Sequence, residues 1–165
     1  MPPLLVRDAT PEDADACAAI YAPWVRDTCV SFEERPPDAD EMRARIERAQ
    51  TAHAWLVAEE SGRVVGYAYG GPFKERAAYR FSCEVSVYLA VDERGRGLGR
   101  QLYAALLARM TTLGMRMACG GVTLPNDASE ALHRSLGFEP VGVYRRIGWK
   151  HGAWRDVAWF QLPLG

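Results

Sequence analysis

The chain has 165 residues, 48% of them hydrophobic and 25% charged, with a formal net charge of −1. That suffices for one domain with a real core, and it gives no argument for nucleic acid or an anionic membrane surface as partner. No apolar run reaches the roughly 18 residues of a membrane span, and Arg7, Asp8, Glu12 and Asp13 leave no room for a signal-peptide core, so the cytoplasm is the default location.

Residues 4–9 read as a first strand. Thr10-Pro11-Glu12-Asp13 then opens a helix, with Thr10 as N-cap, proline at the first helical position and acids in the first turn. Ile20, Tyr21, Trp24 and Val25 form its apolar face. A second helix follows Pro36-Pro37-Asp38, with Met42, Ile46 and Ala49 as its stripe. Residues 55–59 and 64–69 form a hairpin around Glu60-Ser61-Gly62-Arg63. Residues 70–80 are a loop, and 81–91 a long strand. The next helix carries Leu102, Leu106 and Met110, with Tyr103 and Leu107 beside them, and stops near Gly114. Residues 115–124 give another strand, and 126–135 a short helix closed by Gly137. Residues 141–149 and 154–162 form a last pair of strands. Trp149, Trp154, Trp159 and Phe160 make that pair too apolar for an open sheet, so it is core or a dimer face. The sum is a mixed α/β domain around one central sheet. Cys17, Cys29, Cys83 and Cys119 are widely spaced, with no C-x-x-C pair and no histidine at ligand spacing. Free, mostly buried thiols and no metal site are expected.

The junction after the long strand carries chemistry. Arg94-Gly95-Arg96-Gly97-Leu98-Gly99-Arg100 opens a helix, and a helix start offers unpaired N–H groups and the positive end of the macrodipole. Glycines let the backbone approach an anion closely, so the turn reads as a phosphate cradle. A dinucleotide fingerprint fails because its last small residue falls on Arg100, and a Walker loop fails because the turn has no lysine. The pattern [QR]-x-x-G-x-[GA] fits Arg94 to Gly99.

That pattern resembles the coenzyme A pyrophosphate loop of the GNAT acetyltransferase superfamily. The resemblance covers about residues 5–162 and sharpens to one branch, the phosphinothricin and methionine sulfoximine/sulfone N-acetyltransferases. Four segments carry it: Gly71-Pro72-Phe73-Lys74-Glu75-Arg76-Ala77-Ala78-Tyr79-Arg80; Glu84 with Val87-Tyr88; Leu124-Pro125-Asn126-Asp127; and Gly148-Trp149-Lys150-His151-Gly152-Ala153-Trp154-Arg155-Asp156. It implies a single GNAT domain over residues 1–165, with a mixed, mostly antiparallel sheet flanked by helices. Acetyl-CoA would lie at a splayed strand pair, along Val87, Tyr88 and Leu89. Its pyrophosphate would sit on Arg94, Gly95, Arg96, Gly97, Leu98, Gly99 and Arg100, with Asn126 on the pantetheine arm. The implied reaction moves an acetyl group directly to the α-amine of a small amino-acid analogue, without a metal and in a homodimer.

Strand alternation puts Glu84, Ser86 and Tyr88 on one face. An α-amine has an ordinary pKa of about 7.7–8.0 and must lose a proton before it attacks. A carboxylate within reach can take that proton, and the resemblance assigns this role to Glu84. His133 falls near the place where many relatives have a tyrosine that protonates the leaving thiolate. It is either that acid or a support, orienting Glu84 or packing beside the pantetheine arm. Lys74, Arg76 and Arg80 supply cations for a carboxylate or a phosphinate or sulfone oxygen. Herbicide-inactivating members more often have an acid at position 80, which points away from phosphinothricin itself. Phe32 and Phe73 wall the acceptor pocket or simply pack.

Two rival readings remain at this level. One is a protein, peptide or other small-amine N-acetyltransferase of the same fold; the cationic loop at 74–80 argues against a peptide, which needs an open groove. The other is a non-catalytic acyl-CoA-binding sensor, which would tolerate loss of Glu84.

Overall fold

Seven strands lie side by side: β1 (Leu4–Asp8), β2 (Trp55–Glu60), β3 (Arg63–Pro72), β4 (Ser82–Leu89), β5 (Met117–Thr123), β6 (Glu139–Lys150) and β7 (Ala153–Pro163). The computed structural model describes residues 2–165. The strand order is β1-β2-β3-β4-β5-β7-β6, and every neighbouring pair is antiparallel except β4 with β5. The mixed, mostly antiparallel sheet implied by the sequence is therefore present.

Four helices flank it: α1 (Ala14–Asp27), α2 (Ala39–Ala52), α3 (Leu98–Thr112) and α4 (Asp127–Ser135). On one side, here the front, Ile20, Tyr21 and Val25 of α1 and Met42 and Ile46 of α2 pack on Trp55 and Tyr67. On the back, Leu102, Leu106 and Met110 of α3 pack against Cys83, Val85 and Ala118. Apart from half-buried Trp24 and Ala49, each stripe read from the sequence is buried, and each fully buried large side chain contributes about 1.5–3 kcal/mol. Asn126 caps its helix as expected, Oδ1 accepting from the Ser129 N–H. The Asp38 carboxylate, not singled out in the sequence, accepts from the Glu41 N–H. Thr10, read as the cap of the first helix, heads a 3₁₀ turn instead, with Asp13 at the N-cap of α1.

Several boundaries move, most by one or two residues. Residues 11–13 form a 3₁₀ turn before α1 starts at Ala14. β3 runs on to Pro72, so the expected loop loses its first residues to the ladder, where Gly71 pairs with Glu84. β4 ends at Leu89 rather than Val91. There Ala90 N–H turns to Val65 O and a 3₁₀ turn over Val91–Glu93 leads into the glycine loop. Trp24, expected on the apolar face of α1, is only half-buried because its indole N–H donates to Leu89 O at 2.8 Å.

The parallel β4–β5 pair is short. Ser82, Cys83 and Glu84 pair with Met117, Ala118 and Cys119, and no pairing follows. Beyond that point the strands diverge, leaving a gap that opens toward the glycine loop.

Candidate active site

Val30, Val85, Ser86, Tyr88, Thr123 and Asn126 are among the residues that line the gap. Its β4 edge has no strand partner past Glu84. Tyr103 Oη donates to Val85 O at 3.0 Å and the Trp24 indole to Leu89 O. The Val87 peptide lies between these two, where an extended amide-bearing chain can add as a strand would.

At the wide end stands the glycine loop. Gly97 is the N-cap of α3 with φ 77° and ψ 7°, a left-handed conformation that costs a side-chain-bearing residue about 1–2 kcal/mol. Nothing lies within 4 Å of where a Cβ would stand at Gly95 or Gly97, so the loop's surface is an open cradle. Gln101 N–H bonds back to Gly97 O, and the amides of the first turn before it are left for an outside acceptor. Gly99 packs in the first turn of α3, where a Cβ would meet Leu89 and Leu132 side chains at 3.5 and 3.8 Å, ordinary contact distances. The loop arginines divide. Arg94 and Arg100 are exposed. Arg96 is not a free phosphate cation: it bonds Glu60 at 2.9 and 3.2 Å and also Glu93, whose carboxylate is held by Arg63 as well. The turn's sequence gave no sign of this, because Glu60 comes from the distant β2–β3 hairpin.

At the narrow end, Glu84 is the last β4 residue paired with β5. Its β3 partner is Gly71, and the next two same-face pairs are Ser86 with Tyr69 and Tyr88 with Tyr67. Since Tyr67 belongs to the core under α1 and α2, Glu84 faces front, as alternation predicts. Burial raises its pKa above the ordinary carboxylate value. Among the described residues, no side chain hydrogen-bonds or ion-pairs with its carboxylate.

His133 also borders the gap, but from the other face of the sheet. A Cβ added to Gly120 would stand 2.7 Å from its Nε2, and the ring stacks on Phe160 and edges Phe138, both members of the back core. Front and back alternate along β5, so His133 is behind the sheet while Glu84 is before it. This removes one of the expected support roles: His133 cannot orient Glu84 directly. It is 4% exposed, and burial lowers its pKa despite the bond to Ser129 O. Nδ1 lies 2.7 Å from Ser129 O, which accepts only, so Nδ1 carries the ring proton. Nε2 lies 3.1 Å from Tyr103 Oη. Tyr103 thus has one proton for two acceptors, Val85 O and His133 Nε2.

The residues expected to bind the acceptor are not drawn into one cluster by any contact among the described residues. Phe73 edges both Tyr79 and Trp159, and Trp159 pairs with Gly121 beside the gap. Phe32 packs against Gly148. Lys74, Arg76 and Arg80 are exposed and form no ion pair among the described residues; Arg80 bonds only its own turn, at Ala77 O. Sequence reasoning missed Tyr103 and Trp24 as polar elements, taking both for core. The available signal was that a buried tyrosine or tryptophan needs a partner for its O–H or N–H.

Coenzyme A suits this arrangement on structural grounds alone: a pyrophosphate for the open amides of α3, and an amide-bearing arm for the free edge of β4. Such a site defines an acyl-CoA-dependent transferase. The chain belongs to the GNAT acetyltransferase family, whose model, Acetyltransferase (GNAT) family, matches residues 18–138. Over 161 residues it is 44% identical to the phosphinothricin N-acetyltransferase of Alcaligenes faecalis, covering 96% of this chain and 82% of that one. It is 37% identical over 161 residues to the L-methionine sulfoximine/L-methionine sulfone acetyltransferase of Pseudomonas aeruginosa, covering 96% and 94%. A crystal structure of a phosphinothricin acetyltransferase from Sinorhizobium meliloti in complex with acetyl-CoA matches with a TM-score of 0.94 and 40% identity, over 98% of this chain and 89% of that one.

Proposed function

We propose that the protein transfers the acetyl group of acetyl-CoA to the α-amine of a small amino-acid analogue of the methionine sulfoximine/sulfone or phosphinothricin type. The observation that carries this reading is Glu84, a carboxylate without a partner, desolvated at the apex of a gap built for coenzyme A. Acetyl-CoA supplies an acetyl thioester there. Glu84 takes the proton of the ammonium group, directly or through one water, and so makes the nitrogen lone pair available. Its raised pKa brings the base closer to the amine's and eases the transfer. Lys74, Arg76 and Arg80 hold the acceptor's carboxylate or its side-chain oxygen, and Phe32 and Phe73 bound its carbon skeleton. The named substrates of the relatives above are α-amino acids with such an oxygen-bearing side chain, which supports this choice over a peptide.

The unit that works is a dimer in this reading. Val141, Val143, Tyr144, Ile147, Trp149 and Trp154 are all exposed along β6 and the start of β7, the two tryptophans at 56% and 52%. An apolar patch of that extent fits a second copy of the chain. The four cysteines are free thiols, which suits the reducing cytoplasm.

Thiol release from acetyl-CoA tests the function with methionine sulfone, methionine sulfoximine, phosphinothricin, ordinary amino acids and a peptide panel as acceptors. Rapid turnover confined to the first three is the result expected. Preference for a peptide would overturn the acceptor class, and acetyl-CoA binding without turnover on any amine would favour the sensor.

A further inference from the structure

The segment Gly148 to Asp156 has no part in the chemistry above, yet it contains the most deeply buried lysine or arginine among the described residues. Lys150 ends β6 and is 5% exposed. Among the described residues no carboxylate pairs with it. Its Nζ donates instead to two backbone carbonyls, Val25 O at 2.7 Å and Ser31 O at 2.6 Å. Burying an ammonium group is costly unless its donors are used, so a position that serves only packing would take an apolar residue.

Those two carbonyls bracket the chain that leaves α1 and passes over the gap. Val30, between them, lines the gap. Phe32, just beyond, fits the notch at Gly148, where a Cβ would stand 2.4–3.0 Å from three atoms of the ring. His151, at the hairpin turn, approaches Thr28 O at 3.2 Å. From the other side, Tyr21 Oη meets Ser31 Oγ at 2.6 Å and Arg45 pairs with Glu33 at 2.6 Å. Residues 28–34 are therefore fixed between α2 and the β6–β7 hairpin.

We propose that Lys150 is a positioning residue for the amine acceptor: its buried ammonium, together with the Gly148 notch, holds residues 28–34 over the mouth of the gap and sets where Val30 and Phe32 meet the acceptor. The inference rests on the acetyltransferase reading and on Phe32 as a wall of the acceptor site. An ammonium group has three donors, enough to hold both carbonyls at once.

The test compares Lys150→Met, Lys150→Arg and Gly148→Ala in the full chain, with methionine sulfone as acceptor. In Lys150→Met the acceptor KM should rise about tenfold or more, while kcat and the acetyl-CoA Kd stay within about twofold, the signature of lost ground-state binding. Lys150→Arg should recover part of the acceptor KM. Gly148→Ala, which leaves the lysine intact, should raise the same KM, and a Phe32→Ala background should erase that rise because no ring remains to be displaced. If Lys150→Met does not fold, the Gly148→Ala pair decides. An unmoved acceptor KM in the folded variants overturns the proposal. So does a parallel loss of acceptor and acetyl-CoA binding, which would mean general loosening. A wild-type protein inert toward every amine would instead defeat the acetyltransferase reading itself.

Discussion

Glu84 and His133 stand on opposite faces of the central sheet. Glu84 shares the front with Tyr67, Tyr69 and Tyr88, whereas His133 packs behind Gly120 against Phe160. In the proposed reaction the base therefore lies on the acceptor side and the histidine under the cofactor gap. With Nδ1–H committed to Ser129 O and its pKa lowered by burial, His133 is neutral near pH 7 and has no Nε2 proton to give a thiolate.

His133→Phe should therefore keep both limbs of the kcat–pH profile, with a uniform loss on the order of tenfold, the low end of what acid–base roles contribute, or a loss in acetyl-CoA affinity. Disappearance of the high-pH limb would restore the acid role.

The same burial predicts a stability effect. A histidine whose folded pKa lies below its unfolded value contributes stability that is complete above the unfolded pKa, near 6.5, and is lost as pH falls toward the folded value. Thermal melts of the wild type should drop as pH falls below about 6.5, and His133→Phe should flatten that part of the curve. Parallel curves would show that His133 ionises as freely in the folded protein as in the unfolded chain.

The cradle and its arginine should separate cleanly. Gly97→Ala places a methyl group in the open cradle at a left-handed position. Losing one charge-assisted bond of about 1.5–3 kcal/mol should weaken acetyl-CoA binding by about tenfold or more by calorimetry. Arg96→Ala should instead lower the melting temperature, since it leaves Glu60 and the buried Glu93 short of a partner, and should change acetyl-CoA affinity by no more than about threefold. A large affinity loss in Arg96→Ala at unchanged stability would return this arginine to the phosphate site.

Much of this could be read from the chain itself. The stripes of α1, α2 and α3, the N-cap Asn126, and the glycine loop are local patterns, each settled within a few turns of backbone. Strand alternation alone put Glu84 on one face with Ser86 and Tyr88, as the ladder shows. What could not be read is set by residues far apart in sequence. Arg96 looked like a phosphate ligand because nothing near it shows that Glu60, 36 residues away, takes both terminal nitrogens of its guanidinium group. Lys150 lies in a recognisable segment, yet its role appears only when the hairpin meets carbonyls 119 and 125 residues away. His133 could not be assigned a role without knowing that Gly120 opens the back face to it.

The cation cluster makes a prediction on the substrate side. Lys74→Ala and Arg80→Ala should raise KM for methionine sulfone by about tenfold or more, and much less for its carboxamide, because a lost charge-assisted bond matters only when its partner is present. Equal losses for acid and amide would show that these exposed cations do not read the carboxylate.

The kcat/KM–pH profile of Glu84→Gln, measured beside the wild type with methionine sulfone and acetyl-CoA, tests the central claim most directly. In the wild type an acid limb should reflect Glu84, with a pKa above the ordinary carboxylate value because of burial. Activity then falls as pH drops through it, and a second limb comes from the amine itself. Glu84→Gln should lower kcat by about 10²–10⁴-fold, lose the first limb, keep the second and bind acetyl-CoA as before. A variant that retains most of its kcat at neutral pH, with the acid limb still in place, would contradict the assignment of Glu84 as the base.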